Sequence, residues 1–382
     1  MLNRRKLVAR CAAALAAPGI LQRAAAEPGV SNAVVLLGQS VALSGPLGEL
    51  GNEYRAGAQL WFDHVNSAGG MAGRQVKLLS LDDGYSTERA TVNTRRLVEQ
   101  DGVFAIFGQF GTGITRASFS STIHQGVPMF APFTGADSLR DYGNRYLFHV
   151  RASYGHELRH MIDHLLTIGI SNIGVVYQDD DFGQAALNGT LAALQQKKTQ
   201  PVVTGTMSIS PVVDVRSAVE AISVKRPSAI IMCTSGKGAV AFIKKYREKG
   251  APTQFYCLSE VGSRELAIDL GPASRGIVIA QVVPSPWSAL VPVSMEYQRL
   301  RQKLPPMPAS YGSLEGFIAA KVFTEGLKRA GRNLSRESLV DQLETISDFD
   351  MGGFRVSYDA GNHTGSNFVD LSMLSTNGEF VR

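Results

Sequence analysis

From Asn32 onward, short apolar runs alternate with stretches whose apolar residues recur at helical spacing. Ala33–Gly38 reads as a strand. Asn52–Asn66 reads as a helix, with Tyr54, Ala58, Trp61 and Val65 on one face. Val76–Leu81 is a second strand, and Ser86 starts a helix that reaches Gln100. Val103–Phe107 and Val127–Phe130 are short apolar runs of the kind that form buried parallel strands, with an amphipathic helix, Ile114–His124, between them. Arg145–Val150 is extended, and then the rhythm restarts. Helices are expected at Ser153–Ile168, up to Gln196, at Val213–Val224 and at Lys237–Lys249. Strands are expected at Ile173–Tyr177, Val202–Met207, Ala229–Cys233 and Phe255–Leu258. Gly276–Val283 reads as an extended crossing. Helices at Val293–Lys303, Ser310–Ala330 and Arg336–Ile346 follow, then strands at Phe354–Tyr358 and Phe368–Leu374 and a turn at Thr376–Glu379. Repeated strand–helix–strand units predict an α/β fold with doubly wound parallel sheets. Two such series point to two lobes with a ligand cleft between them.

The stretch Val103–Arg140 carries the best candidate chemistry. Gly108, Gly111 and Gly113 surround Thr112 after one strand, and Pro132, Thr134 and Gly135 follow the next. Both turns lie at strand C-termini, where open parallel sheets bind ligands. A helix N-terminus there presents free N–H groups and a partial positive charge to a carboxylate. The plainer alternative is a pair of ordinary strand-to-helix turns whose glycines supply positive φ.

The chain begins with an address. Arg4, Arg5, Lys6 and Arg10 precede the apolar Cys11–Leu21, which is too short to span a bilayer, and Ala24-Ala25-Ala26 offers a cleavage site. Residues 1–26 therefore read as a cleavable signal peptide to the periplasm. Asn3-Arg4-Arg5-Lys6 is close to a twin-arginine pattern, with the general export route as the alternative. Export changes the charge argument. The formal net charge is +5, from 38 basic and 33 acidic residues, and five of the basic residues precede Glu27. The mature chain is thus formally neutral, which removes the electrostatic case for nucleic-acid or membrane binding. Two cysteines remain, Cys233 and Cys257. Each ends a strand, and two buried free thiols are expected rather than a disulfide, given the demands of disulfide geometry.

The stretch LSGPLGELGNEYRAGAQLWFDHVNSAGGMAGRQVKLLSLDDGYSTERA resembles the first lobe of the periplasmic Leu/Ile/Val-binding protein family, type I solute receptors of ABC importers. Gly108…Thr112, Gly126-Val127-Pro128, Asp180-Asp181-Phe182-Gly183 and Ser313-Leu314-Glu315-Gly316 follow in the family's order. The resemblance implies three hinge crossings, near 149–153, 279–284 and 350–357. Lobe 1 would comprise 27–150 plus 284–352, and lobe 2 would comprise 151–283 plus 353–382. It also implies closure on a small solute. Thr112 matches the hydroxyl residue that holds a ligand carboxylate, with Phe110 beside it. Phe133, Thr134 and Gly135 match the next contact loop, where Gly135 stands in place of the usual threonine. Phe182 matches an aromatic that covers the ligand. Glu260 matches the carboxylate that pairs with a ligand ammonium, and Leu50 falls where an aromatic is common.

Sharper motifs fall short of an enzyme. His156-Glu157-Leu158-Arg159-His160 has the H-E-x-x-H spacing of zinc hydrolases, but the resemblance makes this a surface or hinge-side helix, and a solvated face is expected. Asp179-Asp180-Asp181 reads as a helix cap rather than a cation site. The Gly108–Gly113 run lacks the Gly-Lys-Ser/Thr of a phosphate loop. The expectation is a monomeric, non-enzymatic receptor without a cofactor, taking a small carboxylate-bearing solute such as an amino acid. It would deliver this to an ABC permease and its ATPase. A sensory receptor of the same fold and a zinc hydrolase using His156 and His160 are the alternatives.

Overall fold

A computed structural model describes residues 27–140, 144–209, 212–302, 308–375 and 379–381. The expected signal segment 1–26, Lys303 and residues 376–378 of the expected final turn lie outside the described residues.

The first sheet contains β1 (Val34–Val41), β2 (Gln75–Asp82), β3 (Ala105–Phe107), β4 (Met129–Phe130) and β5 (Leu147–Phe148), in the order β2-β1-β3-β4-β5 and parallel throughout. Helices α1 (Gly48–Ser67), α2 (Thr87–Glu99) and α3 (Thr112–Thr122) connect its strands. After α4 (Tyr154–Thr167) the second sheet begins. Its parallel strands are β6 (Ile173–Gln178), β7 (Val203–Met207), β8 (Ala229–Cys233), β9 (Gln254–Cys257) and β10 (Val278–Gln281), linked by α5 (Asp181–Gln196), α6 (Arg216–Lys225), α7 (Gly236–Arg247) and α8 (Ser263–Leu270). The chain then returns to the first lobe as α9 (Pro292–Arg301), α10 (Tyr311–Ala330) and α11 (Arg336–Leu343). α10 packs along α1 so closely that a Cβ on Gly57 would stand 1.7 Å from the Ser313 carbonyl oxygen.

The end of the chain differs from a purely parallel reading. Strands β11 (Phe349–Asp350) and β12 (Arg355–Val356) form a separate antiparallel hairpin. Strands β13 (Asp370–Leu374) and β14 (Phe380–Val381) add an antiparallel edge next to β10. Phe354, Val356 and Tyr358 join the hydrophobic cluster that holds α1 and α10. The first and third crossings are tied together: His149 N–H donates to the His363 carbonyl, Gly365 N–H donates to the His149 carbonyl, and the Tyr358 hydroxyl donates to that same carbonyl. Cys233 and Cys257 are both buried and unbonded. Met232, not Cys233, sits opposite Cys257 across the β8–β9 pair, so the pleat sends the two thiols to opposite faces of the sheet.

Candidate functional site

The turns after β3 and β4 form one floor. Phe133 N–H donates to the Gln109 carbonyl and Gly111 N–H donates to the Phe133 carbonyl, which extends the strand pairing past the sheet edge. Gly111 has φ +99°, which favours glycine, and a Cβ there would lie 2.8 Å from the Tyr85 ring. This geometry aligns Phe110 and Phe133 in a parallel stack, centroids 4.5 Å apart. It also places the Thr112 and Thr134 hydroxyls 2.8 Å from each other. Thr112 opens α3, so its hydroxyl lies beside the free N–H groups of the first turn. Both threonines are fully buried.

The second lobe meets this floor. Tyr154, the first residue of α4, lies 3.4 Å from the Thr112 hydroxyl and 3.3 Å from that of Thr134. Its phenol donates to Glu260 at 2.6 Å. Gly135 makes this approach possible, because a Cβ there would stand 2.4 Å from the Tyr154 ring and 2.8 Å from its backbone nitrogen. The missing threonine is therefore a steric requirement of Tyr154. Phe182 packs against the other side of Tyr154, centroids 5.2 Å apart. Ser153 caps α4 and Asp180 caps α5, the latter accepting from Gly183 N–H.

The centre of the site is a residue the sequence pattern did not mark. Arg151, in the first crossing, is 1% exposed. Its guanidinium lies 4.5 Å above the Phe133 ring. It donates to Glu260 at 2.9 Å and to the Ser259 hydroxyl, and it lies 3.5 Å from Glu315 and 3.7 Å from Glu157. Ser259 in turn donates through its backbone N–H and its hydroxyl to Glu157. Burial raises the Glu260 carboxyl to about 8 and Glu157 to about 7, with Arg151 pulling both back down in part. Glu315 is raised for the same reason. Burial alone would lower Arg151, but Glu315, Glu260 and Glu157 outweigh it and keep the guanidinium charged.

All seven residues singled out in the sequence, Phe110, Thr112, Phe133, Thr134, Gly135, Phe182 and Glu260, gather here. Glu260, expected to face a ligand ammonium, is engaged by Arg151 and Tyr154. Glu157 corrects the reading of the H-E-x-x-H helix as a solvated face. Its histidines stay accessible: His160 is exposed, and half-buried His156 completes the capping box with Ser153. Among the described residues no group of three or more His, Cys, Asp or Glu side chains is placed to hold a metal ion. Leu50 lines a small pocket with Glu53, Phe133, Glu315 and Tyr311, on the second-crossing side of the cluster.

Around the site further polar contacts join the lobes. Arg116 pairs with Asp181 at 3.2 Å, the Tyr85 hydroxyl donates to Asp180 at 3.4 Å, and Arg264 pairs with Glu49. The first pair is half exposed on both sides and contributes at most about 1 kcal/mol.

A sequence model of the periplasmic binding protein family matches residues 35–379. The chain is 28% identical over 231 residues to Leu/Ile/Val-binding protein homolog 8 of Brucella abortus, which is 56% of this chain and 55% of that protein. The alignment thus spans little more than half the length of this curated relative. A solved periplasmic substrate-binding protein from Ralstonia solanacearum is 30% identical, with a TM-score of 0.85 over 91% of this chain and 99% of its own. A possible leucine/isoleucine/valine-binding protein from Rhodopirellula baltica is 29% identical, with a TM-score of 0.85 over 92% of this chain and 97% of its own. With two lobes meeting over a buried polar floor and a family match across nearly the whole described chain, this protein belongs to the periplasmic binding protein family.

Proposed function

We propose that the chain is an exported solute receptor that captures a small carboxylate-bearing molecule between its lobes and presents it to an ABC permease. The observation that carries this reading is the Thr112–Thr134 hydroxyl pair at the start of α3, buried beneath Tyr154 of the opposite lobe. Two hydroxyl donors and the first-turn N–H groups of a helix form a receptor for an anionic oxygen pair. The solute docks on the first lobe, and closure about the three crossings adds Tyr154, Phe182 and Glu260. The stacked Phe110 and Phe133 supply an apolar wall beside the carboxylate site. Residues 1–26 are read as the export signal, with the twin-arginine and general routes both open to it. The mature receptor acts as a monomer with no cofactor.

The test is a thermal-shift screen of amino acids, aliphatic acids and aromatic acids. A bound solute stabilises the fold by RT ln(1 + [L]/Kd), about 2.7 kcal/mol at a hundredfold excess over Kd. The expected result is a hit among carboxylates whose amide or ester analogue gives no shift. Hits confined to molecules without a carboxylate would sink the reading.

A further inference from the structure

We infer that closing the two lobes takes up a proton at the carboxylate cluster around Arg151, with Glu315 as the carboxylate that closure delivers. The inference rests on the reading that the lobes open and close.

The geometry supplies three acids for one contacting base. Arg151, Glu157 and Glu260 belong to the first crossing and the second lobe, and they remain together when the lobes part. Glu315 sits on α10, which packs along α1 in the first lobe. Closure therefore brings a third carboxylate, 3.5 Å from the guanidinium, into a group that already carries one surplus negative charge. None of the four is exposed enough for water to screen this: Arg151 is 1% exposed, Glu157 0%, and Glu260 and Glu315 6% each. Two surplus charges cannot be carried in such a space without compensation.

The neighbouring elements supply none. From α1, Tyr54 faces Glu315 as a neutral phenol whose hydroxyl donates to the Ala131 carbonyl. From α4, Tyr154 faces Glu260 and is held neutral by burial. Tyr85, also neutral, is turned toward Asp180. The charge of Arg140 is met first by Asp137, and Arg264, which lines the same small pocket as Glu53 and Glu315, is paired with Glu49 and Glu53. Phe133 covers one face of Arg151. A proton on one of the carboxyls is the remaining compensation, and the positions of Glu157 and Glu260 near neutrality agree with this. A solute with a cationic group would take that proton's place.

The sign follows from linkage. The closed form holds carboxyls raised above their solvated value, so it binds more protons than the open form. Closure is favoured at low pH and is lost as pH rises through about 7 to 8. The test is single-molecule fluorescence on the solute-free full-length mature protein, labelled at Arg95→Cys on α2 and Val224→Cys on α6. Both positions are exposed, and the native thiols are buried. The expected result is a closed-to-open ratio that falls up to tenfold per pH unit between about pH 5.5 and 8 and levels off above that. Glu315→Gln should flatten this slope and hold the protein closed at high pH. Two distance populations that ignore pH, or a Glu315→Gln slope equal to wild type, would overturn proton linkage alone. One invariant distance at every pH would overturn it together with lobe closure. The wild-type profile decides the matter even if the variant folds poorly.

Discussion

Replacing Arg151 by methionine keeps much of the side-chain volume and removes the charge that three buried carboxylates share. Glu260 loses a 2.9 Å ion pair, and Glu315 and Glu157 lose partners at 3.5 and 3.7 Å. Removing one member of a buried pair costs about 3–5 kcal/mol, because the uncompensated charge stays buried. Here part of that cost can be avoided, since the orphaned carboxyls can take protons. With Glu260 near 8 and Glu157 near 7 even beside Arg151, loss of the guanidinium raises both further. Unfolded glutamate titrates near 4.3. Between that value and the raised folded ones, the folded state binds more protons than the unfolded, so stability falls as pH rises. The destabilisation by Arg151→Met should therefore be smallest near pH 5.5 and approach about 3–5 kcal/mol above pH 8. Urea unfolding of wild type and variant at several pH values, with m-values compared to exclude a change of mechanism, measures it. A penalty below about 1 kcal/mol that does not change with pH would refute the charge-sharing role of Arg151.

Three further outcomes follow from the geometry. Gly135→Ala places a Cβ 2.4 Å from the Tyr154 ring, so overpacking should cost about 1–3 kcal/mol, read as a lowered Tm. Thr112→Val should weaken solute binding by about 1.5–3 kcal/mol, tenfold or more by calorimetry, while Thr112→Ser retains most of the affinity. Cys233 and Cys257, on opposite faces of the second sheet, should both alkylate in urea after incubation of the native protein with a mild oxidant. A mass showing a disulfide would contradict that placement.

Much of the fold was legible because burial and periodicity coincide. Parallel strands such as Ala229–Cys233 are buried at every position and read as unbroken apolar runs. The α10 run from Tyr311 to Ala330 carried a clear helical pattern with its Ser310 cap. The strand expected at Phe354–Tyr358 contains Arg355–Val356, but its two-residue partner Phe349–Asp350 left no alternation to detect. The antiparallel edge is set by how the tail meets β10, which no local pattern records. In the site, Thr112 and Thr134 stood out from their place after buried strands, and Phe133 came from the family resemblance. Arg151 was missed because a lone arginine in an extended segment looks like any solvated loop residue. Glu157 and Glu315 carried a signal that was available. Glu157 lies three residues after Tyr154 and four before Met161, on the buried stripe of α4, and Glu315 stands inside the apolar run Leu314–Ala320. An acid on an apolar stripe implies a buried partner, and here that partner is a single arginine.

The central claim is that a carboxylate-bearing solute is held by the Thr112 and Thr134 hydroxyls while the second lobe closes over it. Isothermal titration of the best carboxylate from the solute screen into wild type and into Thr112→Val, with circular dichroism to confirm equal folding, tests it most directly. The expected result is a single site whose affinity falls at least tenfold in the variant. Equal affinity in both proteins would contradict it and move the solute away from the start of α3.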